Sequence, residues 1–282
     1  MIVTITNSQL TATINTLGAE LISLVKNNIN YIWNIDETYW DKTSPVLFPI
    51  VGRLKNDSYS FNEKTYQLPR HGFARNMEFT FDKKSDSQVI FKLNETEETK
   101  AIYPFSFKLL MAYTLMDNEL VIEYFLRNQS DEVLPFSIGA HPAFAISDKF
   151  ENYSLEFNAA DTFETHHLEN ESFIGKTTLV DTKNNTITLN YALFEKDALV
   201  FKSLKSNEVI LKNKDKSILK VNYDHFPYLG IWTKQNAPFL CIEPWCGLAD
   251  AINHNGKLEE KEGMNHLPAG EDFLRAIRIE IL

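Results

Sequence analysis

The sequence has only two cysteines, Cys241 and Cys246. Two cannot build a disulfide framework, and a Cys-x4-Cys spacing with no second pair is a poor zinc signal, so a reducing cytoplasm is the expected location. The start, Met1 to Asn7, lacks a cationic segment leading into an apolar stretch, and no signal peptide is expected. There is no apolar run of the roughly 20 residues that a spanning helix needs. The longest uncharged, mostly apolar stretch, Val133 to Ser147, is shorter and contains Pro135, His141 and Pro142, so no membrane segment is expected. Positive charge is in deficit: 28 Lys and Arg against 38 Asp and Glu leave −10, and no basic stripe offsets it. A nucleic acid or an anionic bilayer is therefore not an expected partner. Internal repeats, low-complexity tracts and Gly/Pro/Ser linkers are also missing. What remains is 282 residues with 44% hydrophobic and 23% charged content, enough for a sizeable core. One domain over residues 1–282 is the expectation, because all-β sandwiches often exceed 200 residues as one unit.

Period-two alternation dominates the chain. Glu119 to Arg127 places Val121 and Phe125 on one face and Leu120, Ile122, Tyr124 and Leu126 on the other, the pattern of a strand buried on both sides or nearly so. Near the C-terminus Ile277, Ile279 and Ile281 share a face opposite Arg278 and Glu280, which predicts a half-exposed strand. Further strands are expected over 12–14, 21–25, 89–93, 106–115, 154–157, 186–189, 209–212, 218–222 and 239–243. Residues 59–68 read as a hairpin and Met116 to Glu119 as a tight turn. No window of twelve residues keeps a clean helical stripe, so helices should be short, at connections such as Glu37 to Lys42 or Ala192 to Lys196. The charged stretch Asp82 to Lys100, broken by Val89-Ile90-Phe91, reads as an edge hairpin. Many strands with little helix predict an all-β fold: a large antiparallel β-sandwich with few short helices.

The informative positions are those where an ionisable residue interrupts an apolar or Gly/Pro-marked context, because such a residue is costly unless paired or employed. Val46 to Gly52 delivers Arg53. Leu68 to Arg75 contains His71 and Arg75, Phe136 to Phe144 contains His141, and Phe239 to Trp245 ends an apolar strand on Glu243-Pro244. Each alone is more often a satisfied core group or a loop cation. Together, one Arg, two His and a strand-end Glu beside Gly or Pro suggest a polar pocket set into a sheet face.

Gly52-Arg53, His71-Gly72-Phe73, Gly139-Ala140-His141-Pro142-Ala143-Phe144 and Glu243-Pro244-Trp245, in this order, resemble the aldose 1-epimerase (galactose mutarotase-like) family, and most closely its LacX-like branch. The similarity runs from Leu17-Gly18-Ala19-Glu20-Leu21 to the final strand. It implies a large antiparallel β-sandwich and the interconversion of α and β anomers of an aldose. By motif it puts His141 on the family's general acid, Glu243 on its general base, and Arg53 and His71 on sugar-binding positions. The family's sugar-binding aspartate falls on Asp197, with Asp181 and Asp224 as competitors. Arg75, in a His-Gly-aromatic-Ala-Arg stretch similar to that of members acting on hexose 6-phosphates, is either a phosphate ligand or a surface ion-pair partner. The expected partner is thus a monosaccharide or sugar phosphate.

A base and an acid suit this chemistry. Opening a cyclic hemiacetal removes the C1 hydroxyl proton and donates one to the ring oxygen. The same two groups with roles reversed close the ring on the other face, with no cofactor and no metal. An ionised carboxylate near His141 is expected to raise its pKa above roughly 6.5 so that it starts as the acid. Metal chemistry is not expected, since His166 and His167 are adjacent and no His-x3-5-His spacing occurs. Two other classes keep the same residues: a non-catalytic carbohydrate-binding sandwich, and a glycoside hydrolase or lyase pairing Glu243 with Asp197 or Asp250. Among the aromatics only Trp245, two residues beyond Glu243, is a candidate for sugar stacking. Lys257 to Gly263 reads as a solvated loop.

Overall fold

Alternating side chains become paired strands in the computed structural model of the chain, which describes residues 1–282. Strand makes up 51% of it and helix 8%, so helix serves only to connect. The fold is a large antiparallel β-sandwich. Its larger sheet has nine strands. In spatial order they are Thr186–Thr188, Tyr153–Phe157, Glu208–Asn213, Lys216–Asn222, Asp272–Ile281, Glu119–Asn128, Phe107–Met116, Gln88–Asn94 and Thr80–Ser85. Register explains the alternation: Ile122 pairs with Ile277 and Leu120 with Ile279, which puts both sets of apolar side chains on one buried face. Arg278 turns the other way and donates to Glu119 at 2.7 Å.

The smaller sheet positions the site. Its order is Ile138–Gly139, Phe239–Cys246, Tyr228–Trp232 and Leu199–Phe201, with Ala143–Ala145 also paired to Phe239–Cys246. All eight residues of Phe239–Cys246 are buried, yet its two faces have different neighbours. Leu240, Ile242 and Cys246 join a cluster of 65 buried residues that also takes in Ile277, Ile279 and Leu120 from the nine-stranded sheet. Phe239, Cys241 and Trp245 belong to two small separate clusters on the other face. Period two thus turns one strand toward both the core and the pocket.

The expected strands and both expected turns are present, whereas the helices differ. Ala192 to Lys196 holds a 3-10 turn over Tyr191–Phe194. Glu37 to Lys42 is not helical: the Asp36 carboxylate accepts from both the N–H and the hydroxyl of Thr38, and this local capture replaces a helical start. The one α-helix, Glu97–Ile102, lies in the charged stretch after the edge hairpin and is held by reciprocal Thr96 and Thr99 caps. Lys257 to Gly263 is not simply solvated, since Leu258 and Lys261 are buried. No helix is long and apolar enough to cross a membrane.

Candidate active site

His141 and Glu243 meet because of register. Gly139 pairs with Trp245 and Ala143 with Cys241, in the same register on either side of a break. The chain lifts away over Ala140 to Pro142, keeping only the Ala140 N–H to Pro244 carbonyl and Ile242 N–H to Pro142 carbonyl bonds. Carried across the break, that register puts His141 directly opposite Glu243, the closest relation two strands offer. The two side chains touch, His141 Nε2 lying 3.1 Å from Glu243 Oε2, and both residues are nearly sealed, at 6% and 2% exposure.

On the other side of Glu243 stands Gly230, its cross-strand partner. A Cβ at Gly230 would lie 2.5 Å from the six-membered ring of Trp245, so glycine is what lets the indole lie across the sheet beside Glu243. The Trp245 N–H and the second imidazole nitrogen of His141, Nδ1, are both buried without a hydrogen-bond partner. Unpaired buried polar atoms are costly, and two of them stand beside the His141–Glu243 contact. Trp40 stacks on the His141 ring at 4.9 Å between centroids, and Trp232 meets it edge-on at 5.9 Å.

One cavity of about 500 Å³, counted out to its open mouth, collects these groups. His141, Glu243, Arg53, His71 and Asp197 all line it, but Arg75 does not. The Arg75 guanidinium instead donates to the Arg70 carbonyl at 3.1 Å, and its Nε is buried without a partner. Asp181 and Asp224, the competitors of Asp197, are also outside the lining, as is Asp250, which pairs with the buried Lys261 at 3.0 Å. Arg53 follows Gly52, whose positive φ of 72° and contact with the Ala249 backbone leave no room for a side chain. Arg70, Glu171 and Trp232 line the cavity too and were not anticipated from the sequence. Glu171 sits in a polar turn, and nothing in such a turn announces that it folds back over a distant pocket.

Burial governs the electrostatics. Desolvation lowers His141 to about 3, with the charge of Arg70 adding to the effect, and it raises Glu243 well above the usual carboxylate range against the pull of Arg70. The expectation that a carboxylate would raise His141 therefore does not hold, because loss of water outweighs attraction. Burial also raises Asp197, whose carboxylate accepts from the Ala198 N–H at 2.7 Å. His71 is pushed well below its ordinary value, first by burial and then by Arg70, and stays neutral. Its Nδ1 accepts from the Gly52 N–H at 3.1 Å while Arg70 Nε stands 3.0 Å from its Nε2. A neutral imidazole accepts at only one nitrogen, so one of these contacts must yield, and the guanidinium can move where the backbone cannot.

His141, Cys241 and Glu243 form a group whose ligand atoms lie within 4.8 Å of one another, a set that could hold a soft divalent ion. Burial raises the Cys241 thiol well above its ordinary value, so it resists becoming the thiolate that a metal requires, and it packs among Trp33, Ala143 and Phe239 as an apolar side chain.

Residues 1–273 match the aldose 1-epimerase family. The chain belongs to that family. The chromosomally encoded LacX protein of Lactococcus lactis subsp. lactis is 34% identical over 93% of this chain and 93% of its own length. Among solved structures, a galactose mutarotase related enzyme from Lactobacillus acidophilus superposes with a TM-score of 0.95 at 34% identity, covering 100% of this chain and 97% of that one. A galactose mutarotase-like protein from Lactobacillus casei gives 0.94 at 30% identity over the full length of both chains. Within this aldose 1-epimerase family member, the His-Pro and Glu-Pro segments that carried the resemblance are the two that meet across the sheet.

Proposed function

We propose that the protein is an aldose 1-epimerase, interconverting the α and β anomers of a hexose by ring opening and reclosure between His141 and Glu243. The observation that carries this reading is the 3.1 Å approach of His141 Nε2 to Glu243 Oε2 inside one cavity with Arg53, His71 and Asp197. The pair holds one proton. Burial favours it on Glu243, and a short transfer to His141 gives the carboxylate base and imidazolium acid that the first step needs. Both forms have the same proton count, so the pair titrates as a unit and the reaction has a bell-shaped pH profile.

A sugar entering between them presents its C1 hydroxyl to Glu243 and its ring oxygen to His141. Proton removal at the first and donation at the second open the ring to the free aldehyde. Rotation about C1–C2 exposes the other carbonyl face, and the reversed transfers close it. Asp197 accepts from sugar hydroxyls, His71 donates through Nε2 once Arg70 withdraws, and Arg53 and the Trp245 N–H supply further donors. Polarimetry on freshly dissolved α-glucose and α-galactose tests the reading. The expected result is mutarotation well above the spontaneous rate in wild type and near it in Glu243→Gln. Sugar binding without any acceleration would instead identify a carbohydrate-binding protein.

A further inference from the structure

The cavity mouth carries a charge arrangement that the ring-opening chemistry leaves unused. Arg53 and Arg70 are the two cations of the lining, and one carboxylate joins them. Arg53 Nη1 donates to Glu171 Oε2 at 2.8 Å, and Arg70 Nη1 donates to Glu171 Oε1. The other face of the Arg53 fork is taken by Asp57, with Nε and Nη2 each 2.7 Å from its oxygens. Glu171 comes from the tip of the hairpin formed by Glu164–Glu169 and Ser172–Leu179, where Asn170 and Glu171 adopt φ of 47° and 62°. This two-residue turn projects the carboxylate over the mouth. The hairpin is docked: the Phe173 N–H donates to the Asp250 carbonyl at 2.9 Å, the Phe173 carbonyl accepts from Ile252 at 3.0 Å, and its ring packs with Trp245 and Ala249.

Two guanidiniums in the lining thus face three carboxyl groups, Glu171, Asp197 and Glu243, with Asp57 behind Arg53. No cation in the lining is free of a carboxylate partner. We propose that Glu171 is a specificity-determining residue that bars anionic sugars from this pocket, its own carboxylate filling the two-arginine position that a sugar phosphate or uronate would require. The inference rests on the reading of the cavity as a sugar site. An anionic substituent must either displace Glu171, breaking two charge-assisted contacts, or sit beside it as a like charge in a partly desolvated mouth. An uncharged hexose does neither, because its hydroxyls donate to Glu171 and Asp197 and accept from Arg70. Specificity here comes from a repulsive element built into the wall.

The test measures mutarotation of glucose and glucose 6-phosphate by wild type, Glu171→Gln and Glu171→Ala. Wild type is expected to prefer glucose in kcat/KM by at least about 100-fold, and each variant to narrow that ratio by about 10-fold or more through a lower KM for glucose 6-phosphate. A wild type that prefers the phosphate, or a ratio unchanged in both variants, overturns the proposal. Calorimetric titration with inorganic phosphate separates this question from the catalytic one. Glu171→Gln is expected to bind phosphate about 10-fold more tightly than wild type, and Arg70→Met in that background to abolish the gain. If no sugar is turned over but the gain is seen, the epimerase reading falls and the role of Glu171 stands. If phosphate affinity does not rise, the role of Glu171 falls whatever the turnover.

Discussion

Two buried acid–base contacts sit on neighbouring parts of this molecule and behave differently. Lys261 and Asp250, with side chains 1% exposed on both sides, are 3.0 Å apart, and each has other partners. Lys261 donates to the Leu248 carbonyl and Asp250 accepts from the Lys55 N–H at 2.8 Å. His141 and Glu243 are nearly as deeply placed, 3.1 Å apart, but His141 Nδ1 and the adjacent Trp245 N–H make no hydrogen bond. In the first contact the chain gives each residue a hydrogen-bond partner, Asp250 Oδ1 alone having nothing beyond the ion pair, and the contact braces the Leu248–Ala249 wall. The second is left short of partners beside an open cavity. What separates the two contacts is less burial or distance than access: His141 and Glu243 line the cavity, whereas Lys261 and Asp250 do not.

The largest expected effect breaks the second pair chemically. His141→Asn and Glu243→Gln should each lower mutarotation by about 10²–10⁴-fold in polarimetry while circular dichroism stays native. Neither change should be mimicked at the other pair: Lys261→Met should leave mutarotation by the folded protein within a few-fold of wild type. Next in size is the stability cost at that structural pair. Lys261→Met strands the Asp250 charge and should cost about 3–5 kcal/mol in chemical denaturation, with part of it recovered on adding Asp250→Asn. A loss below about 1 kcal/mol would show that the two contacts are not as different as their partners suggest.

A smaller effect of opposite sign sharpens the contrast. Glu243 is raised by burial, so the unfolded chain ionises above about 4.5 while the folded one resists, and stability drains away as pH rises from that value toward the raised folded one. Glu243→Gln removes this cost and should melt higher at pH 7, by about 2–4 °C for each kcal/mol relieved. The smallest effect is the acid limb. His141 is held down to about 3, so as pH falls below about 6.5 the unfolded chain takes up a proton that the folded one refuses, and stability declines toward pH 3. His141→Asn should flatten that limb in pH-dependent melts, and a limb of unchanged slope would assign it to another group.

The sheets were legible in the sequence because burial on one face imposes period two, as at Ile277, Ile279 and Ile281. The proposed acid and base were legible because His141-Pro142 and Glu243-Pro244 break apolar strands where a core residue would otherwise sit. Their pairing was not, since it depends on a register shared by strands about a hundred positions apart. Glu37 to Lys42 misled for a local reason, the Asp36 carboxylate taking the N–H and hydroxyl of Thr38. Arg70 and Trp40 gave no signal, because one stands in a turn and the other in a loop that only tertiary folding brings to the His141 ring.

The break between Gly139 and Ala143 leaves His141 and Glu243 as facing rungs of one ladder, tied by backbone hydrogen bonds above and below. Their spacing is therefore a property of the framework, as fixed as the distance between any two strands. The hairpin tip and the turns around the rim decide admission. Those rim segments can be rewritten to favour one guest or another without retuning the proton traffic beneath them, and a single scaffold can thereby serve different sugars.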